Sequence, residues 1–125
     1  MKVKLVCISG LPMSSIIGKN IAPYWFESNG FDVEFWDMSP LYYSEERLKA
    51  YYASAKDFKF KGPKHKVFHH KSEVFESLSL LNSNTWIWNL SWNFTATIDD
   101  FWVIGLIYKF NLKYFIGMFT NKIPN

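Results

Sequence analysis

Groups able to hold an anion crowd the stretch Gly10-Leu-Pro-Met-Ser-Ser-Ile-Ile-Gly-Lys-Asn20. With Gly10, the residues Ser14, Ser15, Gly18, Lys19 and Asn20 bring hydroxyl, ammonium, amide and open backbone groups to a loop directly ahead of a helical pattern. A helix start presents unpaired N–H groups and the positive end of its peptide dipoles, so such a loop suits phosphate or carboxylate. The stretch fits no known phosphate motif. Gly10 and Gly18-Lys19 lack the spacing and the following Ser or Thr of a P-loop, and no Gly-x-Gly-x-x-Gly occurs. A loop closed by a capping side chain explains the same residues, and both readings stand. Asp37 ends an alternating segment where dinucleotide-binding folds place a ribose-binding acid, although an acid there also caps the next turn.

Six lysines, Lys56, Lys59, Lys61, Lys64, Lys66 and Lys71, interleave with Phe58, Phe60 and Phe68 in a tract that either grips an anionic surface or is a solvated loop. His65, His69 and His70 lie among these lysines, with no Cys or carboxylate pair to complete a metal site, so no metal is expected. No Ser/His/Asp or Cys/His arrangement can be read, and Cys7 falls inside an apolar run. Glu45-Glu46 and Asp99-Asp100 read as first-turn helix acids rather than a catalytic pair. No catalytic residue is assigned, and no cofactor is expected.

These residues are carried by a repeated order of apolar strand, polar loop and amphipathic helix. Residues 3–9 form a β-branched, nearly continuous apolar run closed by Gly10, as a strand buried on both faces requires. Residues 21–29 follow helical spacing and end at Asn29-Gly30, and residues 31–38 alternate, with Phe31, Val33 and Phe35 opposite Asp32 and Glu34. The connection suits one crossover helix between parallel strands. Ser44 caps a helix running to about residue 55, residues 58–70 read as an excursion or loose hairpin, and Ser72 opens a further helix. Residues 84–92 give a third strand with Trp86, Trp88, Leu90 and Trp92 on one side. Thr97 caps a helix apolar nearly all round, and residues 114–120 give a fourth strand.

The fold expected is therefore α/β, a Rossmann-like doubly wound sheet of about four parallel strands with helices on both faces, in one domain over residues 1–125. Ligands of such sheets bind beyond the carboxyl ends of the strands. Four loops lie there: residues 10–20, residues 37–43, residues 89–97 with Asn89, Ser91 and Asn93, and residues 120–125 with Thr120 and Asn121.

A net charge of +3 permits an anionic partner but falls short of the basic stripe of a nucleic-acid binder, so no nucleic acid is expected. Twelve Phe, seven Tyr and six Trp in 125 residues are more rings than a small core hides easily, so part of them should serve a sugar, a lipid or a partner. One cysteine, no secretory leader and no apolar stretch of spanning length point to a cytoplasmic chain, soluble or peripheral to the membrane.

The first strand, its Gly-containing loop and the phrase Glu27-Ser-Asn-Gly-Phe-Asp-Val-Glu-Phe-Trp-Asp37 resemble the opening of GT-B glycosyltransferases. The resemblance implies an acceptor-side domain facing a second, donor-binding domain or subunit across a cleft. The acceptor would be a glycan or glycolipid of surface polysaccharide or lipopolysaccharide synthesis, at the inner face of the cytoplasmic membrane. It sets residues 10–20 at the cleft and Asn89, Ser91 and Asn93 near the acceptor. The loop after the fourth strand reads Thr120-Asn121-Lys122 where relatives often carry a His-Asp pair. On this reading the domain is incomplete relative to a full GT-B domain and inactive alone. Two other readings are a non-catalytic module docking on a protein or an anionic membrane, and a flavodoxin-like nucleotide binder.

Overall fold

The computed structural model describes residues 2–11, 22–54, 64–90 and 101–116. Strand β1 (Lys4–Ser9) runs through the centre of a five-stranded sheet, and its residues Leu5, Val6, Cys7 and Ile8 are buried on alternating faces. Helix α1 (Ala22–Ser28) leads to β2 (Asp32–Asp37), then a short 3-10 turn (Ser39–Leu41) and α2 (Glu45–Ser54) lead to β3 (His65–Val67). Helix α3 (Lys71–Ser79), β4 (Thr85–Asn89), α4 (Phe101–Lys109) and β5 (Lys113–Ile116) complete the order. The strands are arranged 3-2-1-4-5, and every adjacent pair is parallel.

The Rossmann-like α/β class expected from the strand and helix pattern holds, with five parallel strands rather than four. The added strand comes from the stretch expected to be an excursion or loose hairpin. Residues 65–67 pair parallel to β2 in the register Phe35↔His65, Trp36↔Lys66, Asp37↔Val67. Only long-range pairing makes this segment a strand, because at the sheet edge His65 is half-buried and Lys66 and Val67 are exposed.

Two apolar layers sandwich the sheet. On one face Val6, Ile8, Trp36 and Ile87 pack against Val74 and Leu78 of α3 and Val103 and Ile107 of α4. On the other, Leu5, Cys7, Val33, Phe35, Trp88 and Leu90 pack with Phe26 of α1, Phe31 and Phe115. Two of the helices hand over to the next strand by the same device. After α1 the Phe31 N–H reaches the Phe26 carbonyl and the Gly30 N–H reaches that of Glu27. After α4, Leu112 reaches Ile107 and Asn111 reaches Tyr108. This double bond pattern needs a left-handed residue past the helix end. Gly30 (φ 93°) and Asn111 (φ 56°) supply it. In each case the following apolar residue packs back on the helix, Phe31 on Phe26 with ring centroids 5.1 Å apart and Leu112 beside Ile107 in the core.

Glu34 departs from the sequence reading, which set it on a polar side of β2. It is buried beneath the sheet edge, ion-paired to Lys4 of β1 and, at 3.3 Å, to Lys66 of β3, and it accepts the Trp36 indole N–H at 3.1 Å. Burial pushes its carboxyl up. The bonds from Lys4 and Trp36 and the charges of Lys4 and Lys66 outweigh that effect, so its pKa lies below the ordinary 4.5. One carboxylate thus ties three adjacent strands together.

Two stability measurements follow from this geometry. Nothing lies within 4 Å of a Cβ added at Gly30, so Gly30→Ala meets only the backbone cost of a left-handed residue and should lose about 1–2 kcal/mol in urea unfolding. An unchanged midpoint would show that the helix end relaxes. A depressed carboxylate stabilises the fold above the ordinary glutamate value and loses that contribution as pH falls through its own lower pKa. Wild type should therefore weaken more steeply than Glu34→Gln as pH drops from about 4.5. Parallel pH profiles would remove Glu34 from the account.

Candidate functional site

The parallel register brings the carboxyl ends of the inner strands to one rim. Ser9 stands opposite Asp37, and Ile8 opposite Asn89. Backbone pairing continues past the strand ends, with Met38 N–H to the Ser9 carbonyl at 2.8 Å and Leu90 N–H to that of Ile8 at 2.9 Å. Gly10 is buried directly after β1. In the order 3-2-1-4-5 the chain winds outward from β1 through β2 to β3, then crosses to β4 and winds the other way. Its direction reverses between β1 and β4, and at such a switch point diverging loops leave a crevice. Gly10 and Asn89 stand on either side of it.

The buried side chains of Ser9, Asp37 and Asn89 at this rim are each hydrogen-bonded within the domain. The Ser9 hydroxyl donates to the Leu11 carbonyl at 2.8 Å and accepts the Leu11 N–H at 3.1 Å, turning the chain out of β1. Asp37 Oδ1 accepts the Ser39 N–H at 2.9 Å, at the first residue of the short helical turn Ser39–Leu41. Its Oδ2 accepts the Tyr52 hydroxyl of α2 at 3.3 Å. Burial, and after it the Asp37 charge and hydrogen bond, pushes the Tyr52 phenol up to about 12. On the opposite sheet face Asn89 Nδ2 donates to the Tyr114 hydroxyl of β5 at 3.0 Å. The rim is thus polar, pre-ordered and split between the two sheet faces, with Ser9 and Asp37 toward α1 and Asn89 toward α4.

Of the residues read from the sequence as binding groups, the structure brings Gly10, Asp37 and Asn89 to this rim. Ser14, Ser15, Gly18, Lys19, Asn20, Ser91, Asn93, Thr120 and Asn121 lie outside the described residues. Asp37 is engaged on both carboxylate oxygens, by the Ser39 N–H and the Tyr52 hydroxyl. Ser9, Tyr52 and Tyr114 were not singled out from the sequence. A hydroxyl closing an apolar run could have marked Ser9, whereas the tyrosines reach the rim from 15 and 25 residues away.

The basic tract divides in a way its spacing did not disclose. Lys64 pairs with Glu27 at 3.8 Å and Asp32 at 3.6 Å, while Lys66 pairs with Glu34 and lies 5.5 Å over the Trp36 ring. Lys71 has no carboxylate partner among the described residues and sits 4.9 Å over Trp102. Lys56, Lys59 and Lys61 lie outside the described residues. His65 packs edge-on against Phe35, and burial pulls its pKa down against the opposing charge of Glu27. His70 stands at the start of α3, its N–H accepted by the Glu73 carboxylate at 2.9 Å and its carbonyl accepting the Glu73 N–H at 3.1 Å. Among the described residues no group of three or more His, Cys, Asp or Glu could hold a metal ion. A cleft of about 350 Å³ lined by Lys2, Val3, Asn29, Gly30 and Phe31 opens at the amino ends of β1 and β2, opposite the rim.

This arrangement defines a small Rossmann-like α/β domain with a five-stranded, all-parallel sheet and an ordered polar rim. No family model, no curated protein and no solved structure matches the chain. Among the described residues no helix is long and apolar enough to cross a membrane.

The Asp37–Tyr52 contact yields a spectroscopic prediction. Replacing Asp37 by Asn removes a charge that holds the phenol protonated, so the Tyr52 pKa should fall from about 12 toward 10. Phenolate absorbance, taken as the difference between each protein and its Tyr52→Phe counterpart, reads this directly. The wild-type contact stabilises the fold fully below the ordinary tyrosine value and fades as pH rises toward the folded one. A Tyr52 titration unaffected by Asp37→Asn would contradict the geometry.

Proposed function

We propose that this chain is the acceptor-side domain of a GT-B-like glycosyltransferase of surface polysaccharide or lipopolysaccharide synthesis. The observation that carries the reading is the placement of Gly10 and Asn89 across the switch point between β1 and β4, with Asp37 on the same rim. The likeness of residues 1–40 to the opening of that family supports it further. A glycan presents hydroxyls rather than one concentrated charge. A rim of neutral amide, hydroxyl and backbone groups around one carboxylate suits it better than a phosphate, which would favour a cluster of cations.

In this reading the domain orients an acceptor hydroxyl, and the nucleotide-sugar is held by a second Rossmann-like domain or subunit. Asn89, held by Tyr114, shapes the crevice wall on the β4 side, where the resemblance sets the acceptor. Ser14, Ser15, Gly18, Lys19 and Asn20 of the first loop, Ser91 and Asn93 of the third, and Thr120 and Asn121 of the last would complete the cleft. The domain acts at the inner face of the cytoplasmic membrane, where lipid-linked acceptors are presented, and does not transfer sugar by itself.

Calorimetric titration with a lipid-linked oligosaccharide, a nucleotide sugar and a flavin separates this from the other readings. The glycolipid should bind, and Asn89→Ala, which removes the side chain that Tyr114 holds in the crevice wall, should weaken it roughly tenfold. Binding of flavin in place of the glycolipid would overturn the assignment.

A further inference from the structure

From the surface formed by α3 and α4 we infer a second functional feature, independent of the acceptor reading: this face docks on an anionic lipid bilayer. Helix α4 is apolar nearly all round, FWVIGLIYK, with Lys109 its only charged residue. Its inner residues Val103 and Ile107 are buried in the core, while Tyr108 is 71% exposed. Beside it on α3, Phe75 is 41% exposed, and Leu80 just past that helix is 86% exposed. Phe75 and Phe110 meet edge to face at 5.3 Å, so these two rings bridge the seam between the helices.

Two lysines lie on this face. Lys71 lies 4.9 Å over Trp102, and Lys109 lies 5.3 Å over Phe75 and 5.9 Å over Phe110. Their charges are not neutralised by any carboxylate among the described residues, whereas Lys4, Lys49, Lys64 and Lys66 are all ion-paired. Glu73 is turned to the start of α3, where its carboxylate accepts the His69 and His70 N–H groups. Glu76 is the other acid of α3, about 100° round the helix from Phe75.

Rings flanked by ammonium groups with no carboxylate partner among the described residues match the boundary of a membrane. Tyr, Trp and Phe settle at headgroup depth, and lysines answer the negative lipid phosphates while their stems lie along apolar surface. A protein partner of matching shape would need its own acids to meet Lys71 and Lys109. A bilayer offers negative charge at any lateral position.

Vesicle flotation tests this. The full chain should float with phosphatidylcholine vesicles containing phosphatidylglycerol, should not float with phosphatidylcholine alone, and should be released by high salt. Lys71→Glu with Lys109→Glu should lower partitioning roughly tenfold or more. Lys2→Glu with Lys113→Glu makes the same change in net charge away from this face and should leave partitioning near wild type, and Tyr108→Ser should weaken it with charge unchanged. Circular dichroism establishes that each variant is folded. Failure of the wild type to float, or equal loss in the two charge-reversed pairs, would overturn the proposal.

Discussion

A parallel sheet covered on both faces sets the terms for everything else in this chain. β1 is bonded on both sides, to β2 and to β4, so its backbone polar groups are occupied and its side chains meet apolar layers above and below. A polar side chain in the middle of such a strand would be buried without water, at a cost of several kcal/mol unless it found a partner. Leu5 through Ile8 are accordingly apolar, and Ser9 appears only where the strand reaches the rim. Glu34 tests the same rule from inside, because it is tolerated only with two lysines and an indole N–H around it.

The helix ends translate this constraint into position. Gly30 and Asn111 reverse the chain within one residue, so that the next residue packs back on the helix and the following strand enters in register. Because the strands share one direction, their trailing segments converge on the same edge. Buried polar groups there, Ser9, Asp37 and Asn89, are then held by local turns or by tyrosines from α2 and β5. A rim fixed in this way needs little reorganisation to receive a ligand.

Much of this was legible in the residue pattern, and what escaped it has a common cause. The run Leu5-Val-Cys-Ile8 and the alternation of Phe31, Val33 and Phe35 carry their burial in their own spacing. So do the helix signals at Ser44, whose hydroxyl accepts the Arg47 N–H at 3.2 Å, and at Asn29-Gly30. β3 has no such signature: three residues among lysines become a strand only because β2 leaves an edge open. Glu34 looked outward by alternation, and its partners arrive from β1 and β3. Asp37 was recognisable as a strand-end acid, but nothing near it in sequence announces Tyr52. Local pattern discloses which faces are apolar; contacts between distant elements decide where charge can be buried and which side chains complete the rim.

The rim and the α3–α4 face occupy different sides of the domain, one closing the carboxyl ends of the strands and the other covering a sheet face. Both assignments presuppose that β1, β2 and β4 run the same way. Inter-strand nuclear Overhauser contacts in the isotope-labelled protein test this most directly. The account predicts backbone contacts from the segment at Lys4 to that at Asp32 and Thr85, and from Ser9 to Asp37. Contacts from Lys4 to the Asp37 end of β2, with Ser9 beside Asp32, would mean an antiparallel pair and would remove the shared rim.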